Sequence, residues 1–142
     1  MSSLTGASFP SLFGPADAAR ARVIAELRAA DQRVRAHEAA HKAVGGDLIQ
    51  GGASFTYVRG PDGRSYAVAG EVSIDTSPVP GKPAATLAKA QQIQAAALAP
   101  ADPSPQDRSV AAAAAAMAAQ AQRDLQRTQA ANQTGQNLDL TG

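Results

Sequence analysis

Few side chains in this sequence are large enough to fill a core. Much of its 44% apolar content is alanine, aromatic residues make up 4%, and there is no tryptophan. Leu, Ile, Val and Phe are sparse and cluster before position 100. Alanine favours helix on propensity alone but buries little area per residue. The 142 residues amount to one domain's worth of chain. A compact part of roughly 80 residues with loose ends is expected, and so small a core is marginal by surface-to-volume scaling. A bound metal or a second chain would help to hold it.

Pattern and punctuation predict an α+β fold: a long N-terminal helix, a small antiparallel β-hairpin, then two C-terminal helices. Residues 1–15 are rich in Pro, Gly, Ser and Thr and read as an irregular start, with Phe9, Leu12 and Phe13 available to dock on the core. A helix is predicted from Ala16 to Val44, with Asp17 as its cap. Val23, Ile24, Leu27, Ala30 and Val34 recur on one apolar arc. His37, His41 and Val44 project into that arc, and Glu38 falls at its edge. Gly45-Gly46 then stops the helix. Residues 47–53 read as a loop. Strands are expected at 54–58 and 65–69 around the turn Gly60-Pro61-Asp62-Gly63, with Gly70 marking a bulge before the strand resumes at 71–75.

The stretch 76–81 reads as a stiff loop. A helix from about Lys82 to Leu98 has Pro83 in its first turn and Pro100 beyond its end. Ser104-Pro105-Gln106-Asp107 has the form of a cap with an acidic residue at the third helical position. The helix it opens runs to about Gln129. Its apolar stripe of Val110, Met117, Ala121 and Leu125 is thin, so it either lies loosely on the core or serves self-association with another chain. The domain is therefore placed at 16–128, and residues 130–142 read as a disordered tail.

The bulk numbers exclude several classes. The 13 basic and 12 acidic residues are interspersed, so no basic stripe suggests nucleic acid. Cysteine is absent, which rules out disulfides, thiolate metal ligands and thiol catalysis. No apolar run approaches the roughly 18 residues that a membrane span needs. The N-terminal stretch lacks the charged and apolar regions of a classical secretion signal, so a cytoplasmic location is the expectation.

The chemistry concentrates in His37-Glu38-Ala39-Ala40-His41. Histidines at i and i+4 lie on one side of a helix, where their imidazoles can converge on one ion. The glutamate after the first is not a ligand in such sites. It holds and deprotonates a water that attacks a carbonyl. The chain has only two histidines, and they fall at this spacing, on a predicted helix, on its inward face. Catalytic zinc takes three protein ligands and leaves one position open. With no third histidine and no cysteine, the third ligand is a carboxylate or comes from another chain. Glu71, in an apolar strand context, ranks first. Asp75, four residues on, and Asp47, six residues after His41, follow. Tyr57 and Tyr66 are the only tyrosines. Either could donate a hydrogen bond to an oxyanion, and Tyr66 is the one taken as catalytic.

The segment Val34-Arg35-Ala36-His37-Glu38-Ala39-Ala40-His41 stands in an ordered set with Phe55-Thr56-Tyr57, Gly60-Pro61-Asp62-Gly63, Tyr66-Ala67-Val68 and the run from Gly70 to Pro80. Over about residues 30 to 120 this set resembles the SprA-related family of bacterial proteins, which bears a metalloprotease label. The run GEVSIDTSPVPG is far more specific than the two-histidine pattern. The resemblance implies a zincin-like catalytic domain, with His37 and His41 as ligands, Glu38 as base, and Glu71 singled out by the Gly-Glu-Val signature. The expected activity is zinc-dependent hydrolysis of a peptide or protein substrate. The competing expectations are a non-catalytic module stabilised by its metal, with the alanine-rich helix as partner surface, and a mononuclear iron site of two histidines and a carboxylate.

Overall fold

The computed structural model describes residues 14–140, so the docking expected of Phe9, Leu12 and Phe13 lies outside the described residues. The elements in order are α1 (Pro15–Gly45), a short 3-10 turn (Gly46–Leu48), β1 (Ile49–Arg59), β2 (Ser65–Ile74), α2 (Pro83–Ala97) and α3 (Pro105–Leu140). This is the α+β arrangement expected: a long helix, a two-stranded antiparallel sheet, then two helices. The chain divides into two compact units. One runs through Arg35 and takes in Phe55–Gly70, and the other comprises Ala36–Ser54 and the chain from Glu71 onward.

α1 starts with Pro15 at its first position, where the missing N–H is no loss. Asp17 sits inside the first turn and accepts the Gly14 N–H through its carboxylate at 3.2 Å. The covered side of α1 passes through Ile24, Leu27, Asp31, Val34, Glu38, His41 and Gly45. These positions alternate steps of three and four, the spacing of a narrow packing seam. The seam is rotated from the arc that hydrophobicity alone suggests. Val23 and Val44 are exposed, while Glu38, expected at the edge, is buried. α1 ends as foreseen: Gly46 takes the left-handed backbone (φ 51°) that glycine adopts without a Cβ clash. The Gln92 side-chain amide donates to the Gly45 carbonyl at 3.2 Å, covering one of the helix's last acceptors.

The hairpin closes through a tight turn. The Gly63 N–H donates to the Gly60 carbonyl (3.0 Å) and the Gly60 N–H to the Arg64 carbonyl (2.7 Å), with Gly63 left-handed at φ 78°. This is a three-residue loop ending in a glycine bulge. Tyr66 packs against Gly60 and donates its hydroxyl to Asp62. Within the same unit, Asp31 of α1 accepts the Ala67 N–H at 2.8 Å.

Both strands are longer than the sequence suggests. β1 begins at Ile49, in what reads as a glycine loop, and β2 runs through Gly70 without interruption. Twelve steps separate Gly60 from Leu48 and eleven separate Arg64 from Asp75, whose N–H donates to the Leu48 carbonyl at 2.8 Å. β1 therefore holds one residue more than its partner. The left-handed backbone of Gly51 (φ 70°) is suited to take it up, so the bulge belongs to the first strand and not to Gly70.

α2 and α3 pack against each other. α2 buries Thr86, Ala90, Ile93, Ala96 and Ala97, and α3 buries Ala111, Ala114 and Ala121. A seam of alanines lets two helices approach closely, which is how α3 docks despite its thin stripe of larger residues. Thr86 pins the preceding loop: its hydroxyl accepts the Val79 N–H (2.9 Å) and donates to the Val79 carbonyl (3.1 Å). α3 continues as helix past the expected end near Gln129 to Leu140. Among the described residues, no helix is long and apolar enough to cross a membrane.

Candidate metal centre

Each member of the site is held by a different local device. His37 and His41 lie one turn apart near the end of α1, with ring centroids 4.9 Å apart in an edge-on arrangement. His41 is buried, and its Nδ1 lies 2.8 Å from the carbonyl oxygen of Ala96 in α2. A carbonyl only accepts, so Nδ1 carries the proton and donates. In the neutral ring Nε2 is then left with its lone pair, the state a metal ligand needs.

The third member comes from α3. Asp107 sits in the first turn of that helix and is held by its cap: the Ser104 N–H donates to Asp107 Oδ2 (2.8 Å), and the Asp107 N–H donates to Ser104 Oγ (3.0 Å). Asp107 Oδ2 lies 3.0 Å from His37 Nε2, Asp107 Oδ1 lies 3.1 Å from His41 Nε2, and the two Nε2 atoms are 3.2 Å apart. Burial works against the charge of Asp107, but the hydrogen bonds from Ser104 and the nearby His41 outweigh it and hold the carboxyl below its ordinary range.

His37, His41 and Asp107 lie close enough to hold a metal ion. The donor set, two imidazole nitrogens and a carboxylate, suits a metal cation. His41 Nε2 and an Asp107 oxygen lie 3.1 Å apart, a pair that either a proton or a metal ion can bridge. A tetrahedral ion with bonds of about 2.0–2.1 Å sets its ligand atoms about 3.3 Å apart. The two imidazole nitrogens, 3.2 Å apart, match that figure; the Asp107 contacts come from different carboxylate oxygens, and one ligand atom from each residue lies within 4.8 Å of the others.

Glu38 adjoins this group. It is only 4% exposed, and its Oε2 has no hydrogen-bond partner. Burial raises the pKa of its carboxyl, the charges of Asp107 and Glu71 add to the rise, and the two histidines oppose it without cancelling it.

The carboxylates nominated from sequence are not members of this group. Among the described residues, the group able to hold an ion takes Asp107 as its carboxylate and does not include Glu71, Asp75 or Asp47. Glu71 is exposed on β2. Asp75 is engaged by the Ser77 N–H (2.9 Å), the Ser77 hydroxyl (2.6 Å) and Lys89 (2.9 Å), contacts that hold its pKa far below the usual range. Asp47 is exposed beside the end of α1. Tyr66 belongs to the other compact unit, with its hydroxyl on Asp62, and Tyr57 is exposed. A cleft of about 640 Å³ between the loop at Pro78–Pro80 and α3 at Met117–Asp124 shares no residue with the histidine group.

Asp107 was visible in the sequence, but as a capping residue. A sequence model of the SprA-related family matches residues 14–140. The chain belongs to the SprA-related family. No curated protein and no solved structure is detectably similar to it. The match spans all of the described elements, so the two histidines, Asp107 and Glu38 all fall within the part of the chain that defines this SprA-related protein.

Proposed function

We propose that this SprA-related chain is a zinc-dependent hydrolase acting on peptide bonds, with His37, His41 and Asp107 as ligands and Glu38 as general base. The observation that carries the reading is the convergence of two imidazole nitrogens and one carboxylate within 3.0–3.2 Å beside a buried, unpartnered glutamate oxygen. Three protein ligands with nitrogen and oxygen donors are the set that leaves zinc an open position. When bound there, zinc acts as a Lewis acid that polarises a carbonyl and makes water a competent nucleophile near neutral pH.

The chain's own residues supply the proton handling. Glu38 Oε2 is free to accept a proton as the water oxygen bonds to the amide carbon. The same proton then passes to the departing amine nitrogen as the C–N bond breaks. The raised pKa of Glu38 suits both transfers, since a base tuned toward the working pH also serves as an acid. His41 is oriented by the Ala96 carbonyl, and Asp107 by its cap. In this reading Tyr66 is a structural residue of the hairpin and Glu71 tunes Glu38 from the strand.

A non-catalytic metal clamp is the second reading, favoured by the fact that the ligands tie α1 to α3. A clamp alone gives no reason to bury a carboxylate with an unsatisfied oxygen, which is costly without function. The test is metal analysis and peptide-library cleavage of the protein purified without added metal. We expect about one zinc per chain. Glu38→Gln should keep the zinc and lose cleavage, and Asp107→Ala should lose both. A zinc-loaded protein inert toward broad peptide libraries would sink the peptidase and leave the clamp. Iron in place of zinc would redirect the reading to oxidative chemistry.

A further inference from the structure

We propose that Ser104 is a positioning residue for the metal, its reciprocal cap with Asp107 aiming the carboxylate at the two imidazoles so that ion binding and the start of α3 form one coupled equilibrium. This rests on the assignment of Asp107 as third ligand. The geometry is a capping box: the Ser104 hydroxyl fixes the Asp107 backbone (3.0 Å), and the Ser104 N–H fixes the Asp107 carboxylate (2.8 Å). The Ser104 N–H lands on Oδ2, which turns Oδ1 toward His41 Nε2 at 3.1 Å. The flanking prolines, Pro103 and Pro105, reinforce this turn. A residue before proline is confined to extended backbone, the conformation an N-cap adopts, and Pro105 presets the first helical φ.

Two consequences follow from one carboxylate serving two masters. Loosening the cap lets the carboxylate swing away from the histidines, so affinity for the ion falls. Conversely, an ion that holds the carboxylate holds the cap, so it orders the first turn of α3 by the same free energy. Hydrogen bonds that orient metal ligands are typically worth 10–100-fold in metal affinity. The Ser104 N–H stays on the carboxylate in every variant, so losing the hydroxyl acts through the Asp107 backbone and the lower end of that range, about 10-fold, is the expectation.

The experiment measures zinc affinity by chelator competition on the full chain for the wild type, Ser104→Ala, Ser104→Gly and Ser104→Thr. Glycine keeps most of the N-cap preference while removing the hydroxyl, so Ser104→Gly reports on affinity even if the alanine variant folds poorly. We expect affinity about 10-fold weaker in the alanine and glycine variants. It should return to within about 3-fold in the threonine variant, whose hydroxyl can cap. Zinc should also slow amide exchange at Ser104 and Asp107 in the wild type more than in Ser104→Gly. Wild-type affinity in both hydroxyl-free variants, with only a lower melting temperature, would overturn the coupling and leave Asp107 as a ligand. A wild type that binds no zinc would overturn the metal assignment itself.

Discussion

Replacing Glu38 by glutamine should make the metal-free protein more stable at alkaline pH, an unusual result for a change at a buried polar site. Glu38 is 4% exposed, Oε2 has no partner, and burial raises its pKa above the ordinary 4.5. Between the ordinary and the raised value, the folded protein keeps a proton that the unfolded chain has released. Stability then falls as pH rises, because the native state binds more protons than the unfolded state. The contribution is fully present below pH 4.5 and is lost as pH climbs through the folded value. Glutamine has no such titration. A buried unsatisfied polar group costs about 1–3 kcal/mol, and more when charged. Glutamine is still a buried polar group and removes only the extra cost of the charge, so the gain at pH 8 should be about 1 kcal/mol, or roughly 4 °C in Tm for a chain of this length. The assay is a series of urea and thermal melts in EDTA from pH 4 to pH 8. The two proteins should coincide at the acid end and separate as pH rises. Parallel curves, or a less stable glutamine variant at pH 8, would refute the reasoning, because the carboxylate would then be satisfied in the fold.

Other parts of the structure make their own predictions. Ile93 of α2 is fully buried, so Ile93→Ala should cost about 2–5 kcal/mol and Ile93→Val about 0.5–1.5 kcal/mol in urea melts. Equal melts for both would mean that the surroundings of Ile93 are loosely packed. A Cβ on Gly60 would sit 2.7 Å from Asp62 Oδ1 and 2.8 Å from the Tyr66 ring, so Gly60→Ala should destabilise by about 1–3 kcal/mol through overpacking. Asp31→Ala should lower Tm at neutral pH by orphaning the Ala67 N–H. The Ala67 hydrogen bond, then Arg35, depress the pKa of Asp31 below 3.8. Its contribution is thus present above 3.8 and lost as pH falls through the folded value, and the gap between variant and wild type should shrink in strong acid.

The sequence made the histidine pair legible because helical spacing places both imidazoles on one face. The order of elements was legible too, from Gly45-Gly46, the turn at Gly60–Gly63 and the prolines around α2. What escaped was whatever depended on a partner far along the chain. Asp107 carries a clear local signal as a cap, and that signal accounts for one of its oxygens. The other lies against a histidine many residues away, and no local pattern reports such a contact. The alanine seam of α3 was discounted because each residue buries little, yet small side chains are what permit close helix packing. Glycine reads as a break, so pattern alone starts the first strand after Gly51-Gly52, whereas a strand can absorb a left-handed glycine as a bulge.

The rotation of α1 is the most instructive departure. Apolar residues alone point the helix toward Val23 and Val44, both of which are exposed. The true seam includes Asp31, Glu38 and His41, polar groups that a hydrophobic pattern counts against burial. Buried polar groups in a small fold are normally satisfied one by one. Asp31 takes the Ala67 N–H, and His41 gives its Nδ1 proton to Ala96. Glu38 Oε2 is the exception, the buried side-chain atom left without a partner among the described residues. That unpaired oxygen lies beside the group of side chains able to hold an ion, the arrangement that the proposed role of Glu38 as general base requires. The burial of Glu38 and the convergence of His37, His41 and Asp107 thus come from one packing event, the end of α1 against the elements that follow it.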